Sequence, residues 1–499
     1  MCGLYHHGSR FHYSKFDVYF YGSNKVFRCR QKKIEAVIDH ELSKAPSEHN
    51  TDWFGTMPLA GILSWHNLGY YPEAKDYVLN MPMFYNLDQV ESFRQMQYPA
   101  INVYHEVQDD QDGQFVAWSG DFMRSVAKGN YIITETNAQG TGWSSQWQFP
   151  PYDGQLRQNV YSHLASGSNM VSYWHWSTLH YGQETYWRGV LGHELEPNRV
   201  YNEFAATAKE LQKIGKQLVN LKKENKVAIL YSHDSYHALK FMPYSDKDNY
   251  PAEMVHKALY NQNIETDVIP CDKIIDFSGY KMLVIPPLYV AADSLLESID
   301  QFVKEGGHVV MMLKSGYCNN HSAVRAMRSP GPLRKACGFY YQEYSTISDM
   351  QLKDDPFQLG KSNHIGEWYE FLIPETAKPL AFADHPFFGR WPAITENSYG
   401  KGKLTYIATY PSQELLEKVI GRAAGEAGVL PQTEYRFPII FRTGKNSLGK
   451  TIRYVFNYSN EEKTIQYPYS DGIELLSGQK VQKKGELFLK PSDVLIVSD

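Results

Sequence analysis

Tyr131-Ile-Ile-Thr-Glu-Thr-Asn-Ala-Gln-Gly-Thr-Gly-Trp143 is the stretch on which the fold turns. A short aromatic and β-branched run ends in a carboxylate, Glu135, and an indole, Trp143, follows eight positions later. Such residues favour a strand, so 131–134 reads as a strand with Glu135 at its C-terminal end. A carboxylate there, with an aromatic plate beside it, suits a sugar, because flat rings cover the apolar C–H faces. Taken alone, a glutamate closing a strand is more often a solvated loop residue, and a loop Trp packs as often as it binds. Its meaning therefore depends on what surrounds it.

On either side the pattern is regular. Residues 100–104 read as a buried strand, 120–127 as a helix, 156–166 as a helix, 170–174 as a third strand and 200–218 as a helix. Strands alternating with helices imply parallel β/α units. After the lysine-rich linker 222–226 come strands at 227–231, 265–269, 281–286 and 307–313, with helices at 251–261 and 294–304 between them. That alternation predicts a doubly wound sheet, closed by a strand at 404–408 and a helix at 414–427. From 431 onward short alternating strands (438–442, 451–457, 463–467, 486–489, 494–497) predict a small antiparallel β domain. Residues 1–97 are harder to read, with helical segments at 32–42 and 88–96. The expected domains are 1–220, 224–430 and 431–499.

With 499 residues the chain is too long for one core. Its net charge of −5 leaves no footprint for nucleic acid or an anionic membrane. The 37 Tyr and 10 Trp fit either large cores or a carbohydrate site. Cys2, Cys29, Cys271, Cys318 and Cys337 form no C-x-x-C, so no zinc site, redox pair or other cofactor is expected. An odd, scattered set matches reduced thiols in a cytoplasm. The N-terminal residues lack a signal-peptide core, and no stretch approaches the roughly 20 apolar residues of a membrane span. A cytoplasmic location follows as the expectation.

The strings YPAINVYHEVQDDQDG (98–113), TETNAQGTGW (134–143), YDGQLRQNVYSHLASGSNMVSYWHW (152–176), HYGQETYWRGVL (180–191) and EPNRVYNEFA (196–205) occur in an order that resembles the family 42 glycoside hydrolases, β-galactosidases built on a TIM barrel. The resemblance implies an α/β chain: part of a (β/α)8 barrel, a Rossmann-like or flavodoxin-like, class I amidotransferase-like trimerisation domain, and a small antiparallel β domain. It implies that Glu135 is the nucleophile at the end of the seventh barrel strand, where TIM barrels carry their active residues. There the carboxylate would form a galactosyl ester that water opens with retention. Trp143 resembles the tryptophan lining the galactose subsite. Glu184 matches a carboxylate accepting hydrogen bonds from sugar hydroxyls. Trp187 stands where some members carry a sugar-contacting His, and its aromatic face could pack on the ring. Trp174, His175 and Trp176 end the eighth strand, where at most alternate side chains reach a ligand. The implied partners are a galactoside and further copies of the chain, as a trimer.

One element of the pattern is missing. A retaining glycosidase needs a second carboxyl about 5–5.5 Å from the first, and the family takes it from an Asn-Glu pair after the fourth strand. Here the Asn-Glu pairs are Asn202-Glu203 and Asn460-Glu461, both downstream of Glu135. The family's upstream cysteine cluster is also absent. About 215 residues precede the second domain, against roughly 250 for a whole barrel. The expectation is a C-terminal barrel portion with both accessory domains. It is either a fragment, or completed by a separate chain, or served by a replacement acid within 1–97, with Glu106 as a further candidate. Two functions follow: hydrolysis of terminal β-galactosides, or an inactive oligomerising remnant that still binds sugar. Glutaminase chemistry at Cys318 is disfavoured, because Lys314-Ser-Gly-Tyr-Cys-Asn-Asn lacks the Gly-x-Cys-x-Gly turn. Tyr231-Ser-His-Asp-Ser-Tyr lacks the dinucleotide fingerprint.

Overall fold

The computed structural model describes residues 99–140, 148–241, 251–271 and 275–499. The helices expected at 32–42 and 88–96, and Trp143, lie outside them. The first described unit is a parallel sheet of β1 (Ala100–Asn102), β2 (Tyr131–Glu135) and β3 (Ser168–Val171), in that order. Helices α1 (Gln114–Ala127) and α2 (Gln155–Ala165) make the crossovers, and α3 (Arg199–Ile214) follows the third strand. These are consecutive units of a β/α barrel. Asn198 caps α3, its side chain accepting the Tyr201 N–H. Helix α1 starts six residues before the expected 120, at Gln114, just after Gly113, whose φ of +69° caps it. Nearly all of α1 is buried on both faces, so no amphipathic stripe marks its start. β3 is displaced too. It ends at Val171 rather than 174, although pairing resumes where Asn137 bridges Trp174.

The middle of the chain forms one seven-stranded mixed sheet. Its order is Lys378–Phe382, Pro392–Tyr399, Gly402–Ile407, His308–Met312, Met282–Ile285, Val227–Tyr231 and Thr266–Pro270. The last five strands are parallel, and the first two are antiparallel additions. Here β4 denotes Val227–Tyr231, β5 Thr266–Pro270, β6 Met282–Ile285 and β7 His308–Met312. β4 and β6 are buried at every residue, as strands covered on both faces must be. Helix α4 (His233–Phe241), directly after β4, was not legible as a helix in the sequence. The doubly wound reading holds for the parallel part, while the hairpins over 338–411 were not foreseen. The last unit is a five-stranded antiparallel sheet: Ile439–Lys445, Thr451–Asn457, Val494–Ser498, Gly472–Glu474 and Lys480–Val481. Beside it lies the pair Lys463–Gln466 and Glu486–Leu489.

A charged joint fixes the three units to one another. Asp121 on α1 is fully buried and accepts hydrogen bonds from Arg124 Nη1 at 2.8 Å, Arg442 Nη2 at 2.6 Å and His256 Nε2 at 3.0 Å. Arg124 also donates to Asp267 on β5 at 2.6 Å. Burial alone would raise the Asp121 carboxyl, but Arg442 and Arg124 hold it well below the usual carboxylate range. Among the described residues no helix is long and apolar enough to cross a membrane.

Candidate active site

Glu135 closes β2 as expected, and the neighbouring strand holds it. The register between β1 and β2 slips after Ile101, so that Asn102 pairs with Glu135. Asn102 Nδ2 and the Tyr104 hydroxyl each donate to Glu135 Oε2 at 2.9 Å. Thr134 Oγ1 donates to Asn102 Oδ1 at 2.6 Å, which turns the Asn102 amide toward the glutamate. Among the described residues the hydrogen bonds to Glu135 fall on Oε2, and none falls on Oε1. Asn102 and Tyr104 are both fully buried, whereas Glu135 is half-buried. Burial raises the Glu135 carboxyl, the Tyr104 bond lowers it, and the negative charge of Glu184 raises it again.

Glu184 comes to this site from a loop that folds back on the end of β3. Val190 N–H donates to His175 O and Leu191 N–H to Trp176 O, each at 2.8 Å, and Ser177 bridges Leu191. Between these ties the 3-10 turn Gln183–Tyr186 carries Glu184. Burial raises its carboxyl. His175 pulls the other way, as does the Trp174 indole, which lies close without reaching hydrogen-bonding geometry. His175 is buried, its Nε2 3.0 Å from Trp187 O, so its role is to support the loop. Trp176 is exposed and packs edge-on against Tyr201.

Trp187 requires a correction. An open face toward a sugar was expected, but its side chain is 1% exposed and meets the Tyr104 ring edge-to-face, with centroids 5.0 Å apart. A large indole beside a fully buried Tyr has an apolar surface to cover, and packing takes it. Thus Glu135 and Glu184 are brought together, Trp187 stands behind Tyr104, and Trp143 lies outside the described residues. Glu106 is exposed, its backbone carbonyl 2.9 Å from His105 Nδ1. Asn102 and Tyr104 were missed as holders of the carboxylate. Period-two alternation in Asn102-Val-Tyr104 was the available signal, since residues two apart share a face. At the end of β7, Lys314 takes the sharp turn with φ +60°, while burial pushes the thiol of Cys318 up.

Two sequence profiles match the chain: one described as beta-galactosidase over residues 71–214, and one as beta-galactosidase trimerisation domain over 225–430. Beta-galactosidase BgaA of Clostridium cellulovorans is 27% identical over 391 residues, covering 78% of this chain and 58% of that protein. Beta-galactosidase LacZ of Lactobacillus acidophilus is 28% identical over 374 residues, covering 73% and 54%. The chain thus spans little more than half the length of these relatives. The crystal structure of a beta-galactosidase from Bacillus circulans sp. alkalophilus superposes with a TM-score of 0.75 at 24% identity, covering 86% of this chain and 62% of that one. A structure of Gan42B, a family 42 beta-galactosidase of G. stearothermophilus, gives 0.75 at 20% identity, covering 84% and 62%. At these identities the structures show a shared fold, a TIM barrel followed by trimerisation and β domains, and the two profiles fall on successive parts of it. The chain belongs to glycoside hydrolase family 42.

Proposed function

We propose that this chain acts as a β-galactosidase, hydrolysing terminal non-reducing β-D-galactosides with retention of configuration, with Glu135 as the nucleophile. The observation that carries the reading is the carboxylate at the end of β2, with Oε2 fixed by Asn102 and Tyr104 and Oε1 unengaged by the described residues. Oε1 attacks the anomeric carbon, the aglycone leaves with a proton from a general acid, and water then opens the galactosyl ester. Glu184 accepts hydrogen bonds from ring hydroxyls, Trp143 walls the galactose subsite, and Trp187 braces Tyr104. No described residue is assigned the acid. In this reading residues 1–220 form the catalytic unit, 224–430 join copies into a trimer, 431–499 brace the two, and the enzyme works in the cytoplasm. The matches to named β-galactosidases support this over an inactive remnant.

Hydrolysis of a nitrophenyl β-galactoside tests it. The wild-type chain turns the substrate over, and Glu135→Gln lowers kcat on the order of 10⁴-fold or more. Equal rates in the two proteins remove Glu135 from the reaction.

A further inference from the structure

The winding of the parallel sheet reverses between β4 and β6. From β4 the chain moves outward to β5, then returns to β6 and β7 on the other side. The crevice outside the carboxyl ends of strands at such a switch point is where open α/β sheets take their ligands. In this chain α4 begins two residues after β4 ends. The Ser235 hydroxyl donates to Val290 O at 3.1 Å and accepts the Val290 N–H at 2.9 Å, tying α4 to the loop after β6.

His233 and His237 stand one turn apart on this helix, so their side chains share a face. Their Nε2 atoms are 2.7 Å apart, with ring centroids at 4.2 Å and planes at 41°. Both side chains are half-buried, within reach of an ion from solvent. In the metal-free protein the short N···N contact means that one imidazole donates to the other. A tetrahedral zinc ion with Zn–N of about 2.0–2.1 Å needs its two nitrogens about 3.3 Å apart. A small rotation of either ring opens that gap; the donor ring moves its proton from Nε2 to Nδ1 by exchange with solvent, and the ion then bridges the two Nε2 atoms. We propose that His233 and His237 form a binding site for a first-row divalent metal ion of the zinc type, at the switch point of the mixed sheet. Imidazole nitrogens select Zn²⁺, Ni²⁺ and Cu²⁺ over hard, oxygen-seeking Mg²⁺. Among the described residues no group of three such side chains gathers, so the two imidazoles are the ligands the proposal names.

Titration of the chelator-stripped full chain with Zn²⁺ alone, at neutral pH and followed by calorimetry, tests the proposal. The expected result is one equivalent per chain with Kd of about 1–100 µM, and no heat with Mg²⁺. His233→Gln and His237→Gln are measured separately, each checked for unchanged metal-free melting. Either weakens Zn²⁺ binding by about tenfold or more, and one folded variant suffices because each removes half the site. Absence of binding to wild type at ~100 µM overturns the proposal. So does equal affinity in a folded variant, which would place the ion on other side chains such as the cysteines.

Discussion

Two donors converge on Glu135 Oε2, and the negative charge of a second carboxylate, Glu184, acts on the same group. These influences oppose each other, so they can be separated by the acid limb of the kcat/KM profile, which follows ionisation of Glu135 in the free enzyme. The Tyr104 bond stabilises the ionised form. Tyr104→Phe should raise the Glu135 pKa, moving the limb to higher pH, and should lower kcat/KM about ten- to hundredfold. Glu184 disfavours the ionised form, so Glu184→Gln should move the limb to lower pH while weakening KM through the lost acceptor. Limbs that move the same way in both variants contradict this pairing of charges. Glu135 was legible in the sequence because the run ending at it has strand character. Asn102 and Tyr104 were not, because their meeting with Glu135 depends on the register slip after Ile101. Trp187 was misjudged because a position matched to a family carries no information on exposure.

At the level of elements, α1 is the piece that touches everything. It packs on β2, the strand that ends in Glu135, on β5 through Arg124 and Asp267, and on the C-terminal sheet through Asp121 and Arg442. Gly113, at its start, faces the Tyr458 hydroxyl so closely that an added Cβ would lie 2.1 Å from it. Asp121→Asn leaves two buried guanidinium groups without their full counter-charge and should cost about 3–5 kcal/mol of stability. Urea unfolding at neutral pH measures it. The sign with pH follows from the depressed carboxyl. The Asp121 contribution is complete above the unfolded value of about 3.9, and is lost as pH falls through the lower folded value. The gap between wild type and variant should stay constant above roughly pH 5 and narrow below pH 4. A gap that widens on acidification contradicts the assignment. Helices α1 and α4 were legible only in part, since one is buried on both faces and the other, His-Asp-Ser-Tyr-His-Ala-Leu-Lys-Phe, has no clear apolar stripe.

Across the whole molecule, the order of β/α units, mixed sheet and terminal β sheet was legible because apolar strands alternate with helices. The hairpins of 338–411 were not, since a strand such as Tyr344–Gln351 buries only Ile347 and reads as polar loop. The match of residues 225–430 to a trimerisation domain gives an expected assembly of three copies. Sedimentation equilibrium should return three times the chain mass at micromolar concentration, and a monomer would count against it. The galactosidase reading itself rests on Glu135 forming a bond to sugar. A 2-deoxy-2-fluoro-β-galactosyl donor with an activated leaving group needs little help from an acid and traps the ester, so it isolates that step. The direct measurement is mass spectrometry of the folded chain after such treatment. One fluorogalactosyl adduct per chain, mapped to the peptide holding Glu135, is the result expected. An unlabelled folded chain, or an adduct on a different carboxylate, would contradict it.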